Sequence, residues 1–527
     1  MTTSSLSISI WVILTILYHL SPSNAKLSPS TNTLYPSRAK RNYHSPLLFI
    51  RPENEIPSPS TKNECFETKY FTQNIDHFNY NPESYQTFQQ RYLINDTYWG
   101  GAQTNAPIFV YMGNEGDVEM FVENTGFMYE IAPQFKALIV FIEHRYYGKS
   151  IPFGGNLSVA YSNTSTLGYL SSAQALADYA TLIVDLKKNL TAEGSPVIVF
   201  GGSYGGMLAA WFRLKYPHIA VGALASSAPI RQFENMVSQY SFTDIITQDY
   251  KSASESCYKA IKGSWCQIEE TAKKENGLEL LRKSLKICDN HISVDSLQRW
   301  LQSAFIYMAM SDYPTPANFI KSLPAYPVRE MCKAIDDPKT GDDIFAKLYG
   351  AANIYYNSTG KTTCFDLQDD SDPRNIDFPA WKWQCCTELV LLTDANRHDS
   401  IFPQSENDPE SRKMSCNESY NGMISRPHWI TTEYGGHDIK RILEGFASNI
   451  IFFNGLRDPW SGGGILRNIS ESLVAIVAKE GAHHVDLRSS CKDDPDWLKD
   501  VRNQEISIMR KWLTEYYCDF NITSPLL

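Results

Sequence analysis

A serine between paired glycines is the strongest sign of chemistry in this 527-residue sequence. Ser203 lies in "GGSYGG", after the apolar run Pro196–Gly202, which predicts a strand, and before Met207–Tyr216, which predicts a helix. A strand, Gly-x-Ser-x-Gly and a helix form a nucleophile elbow, a strained turn that holds the hydroxyl at the carboxyl edge of a sheet. The glycines allow the strand and helix to approach closely. Ser203 is therefore a predicted nucleophile, and the Tyr204 N–H would face the developing oxyanion.

The partners that a nucleophilic serine requires follow in the expected chain order. Asp458, in "NGLRDPWSGGG", comes after the predicted strand Asn449–Gly455, and "EGAHHVDL" places His483 and His484 after the predicted strand Leu473–Gly481. A hydroxyl needs a base to take its proton, and Ser, then Asp or Glu, then His is the α/β-hydrolase order. Asp458 would orient the imidazole and stabilise its charged form. Adjacent histidines cannot both face the serine, and the position after the turn favours His483 only slightly.

The elements around these residues predict an α/β class. Near-continuous apolar runs are typical of parallel strands covered on both faces, and they alternate with an amphipathic helix. This pattern stops near residue 235 and returns near 449, so we predict an α/β-hydrolase fold over 65–238 and 426–520, with a mainly helical, disulfide-rich cap at 239–425 inserted between strands. The other predicted elements are the strands Pro107–Gly113, Ala137–Glu143 and Ala220–Ser227 and the helices Leu170–Leu190 and Ser296–Met310.

The cysteines indicate an oxidising compartment. Of eleven cysteines, eight lie between Cys257 and Cys416, which predicts a segment held by disulfides whose pairing the sequence does not reveal. The odd total leaves at least one thiol free or shared between chains. No Cys-x-x-Cys pair is accompanied by a matching histidine pair, so we expect no metal and no cofactor.

Export from the cytosol is also predicted at the N-terminus. The apolar stretch Ile8–Leu20 and the small residues before Ala25 are typical of a signal peptide covering residues 1–25, although no Lys or Arg precedes the stretch and a retained anchor is the alternative. Residues 26–64 would form a propeptide or tail. Eight Asn-x-Ser/Thr sequons suggest a glycosylated surface; they begin at Asn95, Asn156, Asn163, Asn189, Asn357, Asn417, Asn468 and Asn521.

The net charge of −10 argues against a nucleic-acid partner. Apart from the N-terminal stretch, the sequence offers no candidate for stable membrane insertion. The sequence leaves open whether the protein forms a homodimer. The predicted destination is the secretory pathway, ending in the lysosome, the vacuole or the extracellular space, because "NITSPLL" at the C-terminus contains no retention signal.

Blocks along the chain resemble the prolyl-type serine carboxypeptidase family, which has a Pro-X carboxypeptidase branch and a dipeptidyl peptidase II branch. They are "YFTQNIDHFNY", "YMGNEGD", "EHRYYGKSIPFG", "SSAQALADYA", "GGSYGGMLAAWFRLKYPH", "NGLRDPWSGGG" and "EGAHHVDLR", in family order from about 65 to 515. The resemblance implies a Ser203, Asp458 and His483 triad. In the cap, Ala309–Pro327 and Trp381–Glu388 look closer to the Pro-X carboxypeptidase branch. The doubled Cys385–Cys386 departs from the family, which usually carries one cysteine there.

The implied activity is removal of a C-terminal residue after a penultimate proline, through an acyl-enzyme. The alternative is dipeptidyl peptidase II-like release of N-terminal X-Pro dipeptides. Met207 and Trp460 are placed to line an apolar proline slot, although each could be plain core packing. Glu115 and Asp117 could bind a substrate amine, share a proton with a substrate carboxylate, or only hold the loop together. The direction of attack therefore follows from the resemblance of the cap.

Two rival classes carry the same motif. A lipase or esterase shares the elbow and triad but usually has a long apolar lid, whereas this cap is polar, aromatic and rich in cysteine. A catalytically silent binding protein on the same fold would normally have lost a triad member, and all three residues are present here. The expected partners are therefore peptides with a penultimate proline.

Overall fold

The strands and helices are given by a computed structural model that describes residues 66–319, 321–358, 360–367, 378–395, 398–404 and 409–522. The predicted signal peptide (1–25) and the predicted propeptide or tail (26–64) lie outside these residues. The strands are β1 (Glu67–Asn74), β2 (Thr87–Asn95), β3 (Ile108–Met112), β4 (Leu138–Ile142), β5 (Val197–Gly202), β6 (Gly222–Ser226), β7 (Ala317–Asn318), β8 (Ser322–Leu323), β9 (Ile450–Gly455) and β10 (Leu473–Ala478).

Eight of these strands form one mostly parallel sheet in the order β1-β2-β4-β3-β5-β6-β9-β10. Strand β2 pairs antiparallel with β1 and β4, and the remaining pairs are parallel. Strand β5 lies in the interior of the sheet and leads directly into a helix. This strand order, with a strand–turn–helix at Ser203, confirms the predicted α/β-hydrolase fold. The short strands β7 and β8 pair separately.

The structure contains many more helices than the three that the sequence patterns predicted. They are α1 (Val118–Asn124), α2 (Gly126–Phe135), α3 (Leu157–Ala160), α4 (Thr164–Leu167), α5 (Ser172–Asn189), α6 (Tyr204–Lys215), α7 (Ser241–Ala253), α8 (Glu255–Ala272), α9 (Gly277–Ser284), α10 (Val294–Met310), α11 (Pro327–Asp336), α12 (Ile344–Tyr356), α13 (Phe378–Thr387), α14 (Pro409–Ser419), α15 (Trp429–Glu433), α16 (Ile439–Phe446) and α17 (Asp496–Asp519). The predicted helices correspond to α5, α6 and α10.

The buried strands match the sequence prediction closely. Every residue of β3, β4, β5, β6 and β9 is buried, because helices cover both faces of a parallel sheet. The antiparallel strands β1 and β2 were not predicted. Residues of β1 are mostly exposed or half-buried, and only its seventh residue, Gln73, is buried. A strand at the solvated edge of a sheet has no continuous apolar run, and this one is rich in polar residues.

The segment between β6 and β9 is mainly helical and carries the disulfides, as predicted. The described residues form three: Cys257–Cys332, Cys288–Cys364 and Cys386–Cys416. At the doubled cysteine, Cys386 forms the bond, while Cys385 is buried in the core. The boundaries of the cap at 239 and 425 stay a prediction.

The sequons differ in accessibility. Asn95 is buried at the end of β2, so its side chain is not presented to solvent as a glycan acceptor must be. Six other acceptor asparagines are exposed, and Asn357 is half-buried. The expectation of eight surface sequons was therefore wrong at Asn95, because the tripeptide alone does not reveal that its asparagine ends a core strand.

Candidate active site

The turn that carries Ser203 has the strained geometry of a nucleophile elbow. Strand β5 ends at Gly202, helix α6 begins at Tyr204, and Ser203 between them has φ 61° and ψ −125°. A non-glycine residue rarely adopts positive φ. A Cβ atom at Gly201 would lie 2.0 Å from the carbonyl oxygen of Gly205. Glycine is therefore required where the strand and helix cross.

Asp458 and His483 form a hydrogen-bonded pair. Asp458 begins the short 3-10 helix Pro459–Gly463, where its Oδ1 accepts a bond from the Trp460 N–H at 3.0 Å. Its Oδ2 is 2.8 Å from Nδ1 of His483, and both side chains are fully buried. An ionised carboxylate only accepts hydrogen bonds, so Nδ1 carries the hydrogen and Nε2 is the basic nitrogen.

Strand β6 joins the elbow to the turn that bears the histidines. The Ser203 N–H donates to the Ser226 carbonyl at 3.0 Å, and the His484 N–H donates to Ser227 Oγ at 2.8 Å. The Ser227 N–H in turn donates to the Phe453 carbonyl of β9 at 2.8 Å. The carboxyl ends of β5, β6 and β9 thus bring the three predicted triad residues to one edge of the sheet.

The hydroxyl of Ser203 is buried and makes no hydrogen bond to another described residue. The bond from Ser203 to the imidazole that catalysis needs is therefore not formed in this structure. Such bonds are often long in unliganded enzymes and tighten when substrate is bound.

His484 occupies a different position from His483. Its backbone has φ 36°, and its ring lies where a Cβ atom at Gly202 would be 3.1 Å from the ring carbons. The ring also makes an edge contact with Phe319, with centroids 5.0 Å apart. Burial lowers the pKa of His484 well below its usual range. His484 therefore packs against the elbow, whereas the ring of His483 bonds Asp458.

The loop after β3 contacts the elbow from the other side. A Cβ atom at Gly205 would lie 2.8 Å from the Met112 carbonyl and 2.9 Å from Asn114 Oδ1. Tyr204 begins α6, so its N–H lies among the first four of the helix, which have no intrahelical acceptor. The loop and the first turn of α6 therefore meet beside Ser203.

The two acidic residues of this loop have different environments. Asp117 bonds Arg91 at 2.6 Å and caps α1 by accepting from the Glu119 N–H, so it holds the loop in place. Glu115 is fully buried, and its Oε2 accepts from Asn114 Nδ2 at 2.8 Å. Its Oε1 has no hydrogen-bond partner among the described residues. Burial raises the pKa of Glu115 to about 8.

Contacts from the cap reach the residue after the nucleophile, and the sequence did not predict them. The Tyr204 hydroxyl is 3.0 Å from Gln384 Nε2 and 3.2 Å from His144 Nε2, and its ring packs on Trp381. Gln384 also donates to Glu388 at 3.2 Å. A buried hydrogen-bond network thus ties helix α13 of the cap to the elbow.

The two predicted pocket residues are both buried. Met207 lies in the first turns of α6 within the hydrophobic core. Trp460 packs on Phe242 of α7, with ring centroids 4.5 Å apart, and its Nε1 has no hydrogen-bond partner among the described residues. Trp460 is therefore a contact between the Asp458 turn and the cap.

Comparison with known proteins gives the family. The family model "Serine carboxypeptidase S28" matches residues 73–505. The chain belongs to this family. It is therefore a serine-type peptidase, and the resemblance inferred from the sequence blocks is confirmed.

Individual relatives cover nearly the whole chain. The chain is 40% identical over 470 residues to human "Lysosomal Pro-X carboxypeptidase", covering 88% of this chain and 92% of that protein. It is 38% identical over 469 residues to "Prolyl carboxy peptidase like protein 5" of Caenorhabditis elegans, covering 85% and 90%. A solved proline iminopeptidase of Mycobacterium smegmatis matches with a TM-score of 0.34 and 11% identity over 85% of this chain and all of that one.

The disulfides of this family member indicate maturation in the oxidising secretory pathway. Among the helices described, none combines the length and apolarity that crossing a bilayer requires.

Proposed function

We propose that this peptidase releases the C-terminal residue from peptides whose penultimate residue is proline. The observation that carries the chemistry is the buried Asp458–His483 pair at the sheet edge that also bears the strained Ser203 turn. The specificity is supported by relatives named for Pro-X carboxypeptidase activity that are 40% identical to this chain.

The geometry supports a five-part mechanism. Ser203 Oγ attacks the carbonyl carbon of proline while His483 Nε2 takes its proton. Asp458 keeps the imidazole oriented and stabilises its charged form. The carbonyl oxygen becomes an oxyanion that accepts a hydrogen bond from the Tyr204 N–H and a second from the loop after β3. His483 then gives its proton to the leaving amine, and the C–N bond breaks. Water, activated by His483, attacks the acyl-enzyme and frees Ser203.

Met207 and Trp460 are the proposed walls of the proline slot. Proline has no N–H to donate, so an apolar surface suits its ring. Met207 lies on the helix that follows Ser203, and Trp460 lies two residues after Asp458. The indole N–H of Trp460, which has no hydrogen-bond partner among the described residues, is the proposed donor to a substrate carbonyl.

Glu115 is the proposed group that receives the substrate carboxylate. Because burial raises its pKa to about 8, Glu115 is neutral in an acidic compartment and has an O–H to donate. A neutral acid can bond a terminal carboxylate, whereas a dipeptidyl peptidase needs an ionised acid for the terminal amine. Its Oε1, unbonded among the described residues, is the atom available for this contact.

A pair of peptides tests the direction of cleavage. One is N-blocked and ends in Pro-Phe; the other has a free N-terminus and begins Lys-Pro, followed by a reporter amide. At about pH 5, we expect Phe release from the first and no release from the second. Ser203→Ala is the control and should be inactive on both. Cleavage of only the second peptide would establish the dipeptidyl peptidase alternative.

The same variant tests the non-enzymatic alternative. A fluorophosphonate probe should label the wild-type protein and leave Ser203→Ala unlabelled, because the probe reacts with an activated serine. An unlabelled wild-type protein would favour a silent binding protein.

The proposed site of action is the lysosome, the vacuole or the extracellular space. The proposed partners are peptides rather than nucleic acid or lipid, and a homodimer stays an open alternative.

A further inference from the structure

A second pair of buried acids lies behind the histidine turn and takes no part in the proposed mechanism. Asp486 belongs to the 3-10 helix Val485–Leu487, which directly follows His484, and Glu505 lies on α17. Both side chains are fully buried, with no exposed surface. Glu505 interacts with Asp486 electrostatically and through a side-chain hydrogen bond that requires a proton on one of the two carboxyl groups.

The hydrogen bonds made to these two carboxyl groups leave one more donor hydrogen to be supplied. Ser226 Oγ donates to Asp486 Oδ1 at 2.5 Å. Asp486 Oδ2 and both oxygens of Glu505 receive no hydrogen bond from any other described residue. Buried acceptor atoms are costly to leave without a donor. A single proton shared by the two carboxyl groups supplies that donor.

The nearby cation does not replace the shared proton. The Arg502 guanidinium donates to the backbone carbonyls of Asp486, Val485 and Arg488 and to the side chain of Asp494 at 2.7 Å. Four of its five N–H groups are therefore used by the turn and by Asp494, although its charge still favours ionisation of the pair. Burial outweighs this effect and raises the pKa of both acids.

Other ionisable groups around the pair lie on β3, after α10 and after the 3-10 helix Val485–Leu487. Tyr111 on β3 and Tyr313 after α10 interact electrostatically with Asp486, and Arg488 interacts with Arg502. Burial raises the pKa of both tyrosines, so they are uncharged near neutrality. Arg502 also bonds Asp494, which is another charged side chain next to the turn.

The pair is connected to the catalytic edge through strand β6. Ser226, which donates to Asp486, also accepts the N–H of Ser203 through its carbonyl. On the other side, Asp486 follows His483 by three residues. Displacement of Asp486 would therefore disturb both the nucleophile turn and the imidazole turn.

We propose that Asp486 and Glu505 are positioning residues that share one proton and hold the turn bearing His483 against α17. Loss of that proton places two negative charges in a buried site where no cation of the described residues bonds either carboxyl group, and it separates the turn from the helix. The kinetic part of this inference rests on the proposed roles of Ser203 and His483. The structural part does not depend on them.

The direction of the pH effect follows from proton binding. The pair binds more protons in the folded state than in the unfolded state, so stability falls as the pH rises from the ordinary carboxyl range through the raised pKa of the pair. An amide in place of one carboxyl group supplies a hydrogen that does not titrate. Glu505→Gln and Asp486→Asn each keep the shape of the pair and add such a donor.

The experiment measures melting temperature and kcat/KM for a blocked Pro-Phe peptide between about pH 4 and about pH 8. In wild type, the melting temperature should decline toward the basic end. In Glu505→Gln it should decline less, and the basic limb of kcat/KM should shift upward by about one pH unit or more. Asp486→Asn should behave in the same way. Glu515→Gln, an exposed acid on the same helix, should match wild type.

Melting is also measured in the Ser203→Ala background, because melting does not require activity. An incorrect proposed function would change the kinetic results alone, whereas an incorrect proton-sharing pair would change the melting results. Unchanged pH dependence in both amide variants would overturn the inference. Failure of both amide variants to fold at either end of the pH range would also overturn it, because an amide should replace the shared proton without loss of structure.

Discussion

The bond between His483 Nδ1 and Asp458 Oδ2 is the single contact on which the proposed chemistry depends most directly. In Asp458→Asn, the remaining oxygen can still accept the Trp460 N–H, so the fold should survive. The amide group would favour the wrong imidazole tautomer, and kcat should fall by about 10⁴-fold. Steady-state kinetics on the blocked Pro-Phe peptide measures this, with thermal melting as the check on folding. A loss smaller than about tenfold would contradict the assigned role.

The neutral carboxyl group of Glu115 predicts a KM that depends on pH. As the pH rises through about 8, the group ionises and repels a terminal carboxylate, so KM should increase. Glu115→Gln keeps an N–H donor at every pH, and its KM should stay nearly constant over the same range. The measurement is KM against pH for a free-acid peptide in both proteins. An equal rise of KM in wild type and variant would show that Glu115 does not bind the substrate carboxylate.

At the scale of elements, the elbow requires close approach of β5 and α6. Gly201→Ala would place a Cβ atom 2.0 Å from the Gly205 carbonyl, and backbone on both sides prevents an easy adjustment. We expect a loss of about 3 kcal/mol or more in the free energy of unfolding, together with loss of activity. Chemical denaturation measures the first and peptide hydrolysis the second.

The matched control for that substitution is Gly263→Ala. Gly263 lies within helix α8, where an added Cβ atom would meet no other heavy atom within 4 Å. Alanine there should stabilise the protein by about 1 kcal/mol, because it raises helix propensity without a clash. Equal effects of the two substitutions would mean that the elbow is not sterically restricted.

The sequence predicted the strands whose residues are all buried, because such strands consist of continuous apolar residues. The five fully buried parallel strands are short apolar runs, and each was predicted within one or two residues of its observed ends. Strand β1 was missed because its polar residues face solvent at the sheet edge. Eight residue pairs with β2 fix its position in the sheet. The local sequence pattern contains no signal for this pairing.

At the scale of the whole molecule, the disulfides close long loops in the helical segment. Cys257–Cys332 spans 75 residues, and Cys257 and Cys332 are both buried. Replacing both cysteines by alanine should lower the free energy of unfolding by about 2–5 kcal/mol, because the unfolded chain regains conformational freedom. Thermal or chemical unfolding measures the loss. Cys491→Ser, at an exposed thiol that forms no disulfide with another described cysteine, should leave stability nearly unchanged.

The sequence alone determined the class of fold, the family and the identities of the candidate nucleophile, acid and base, because these depend on local motifs and their order along the chain. The family resemblance already implied His483 rather than His484, and the tertiary structure supplies the physical reason, because the turn points the two histidines in different directions and the ring of His483 bonds Asp458. It also brought Gln384 to Tyr204 and Glu505 to Asp486. Such contacts join residues from separate elements, and their chemistry arises from shared burial, which no single stretch of sequence encodes.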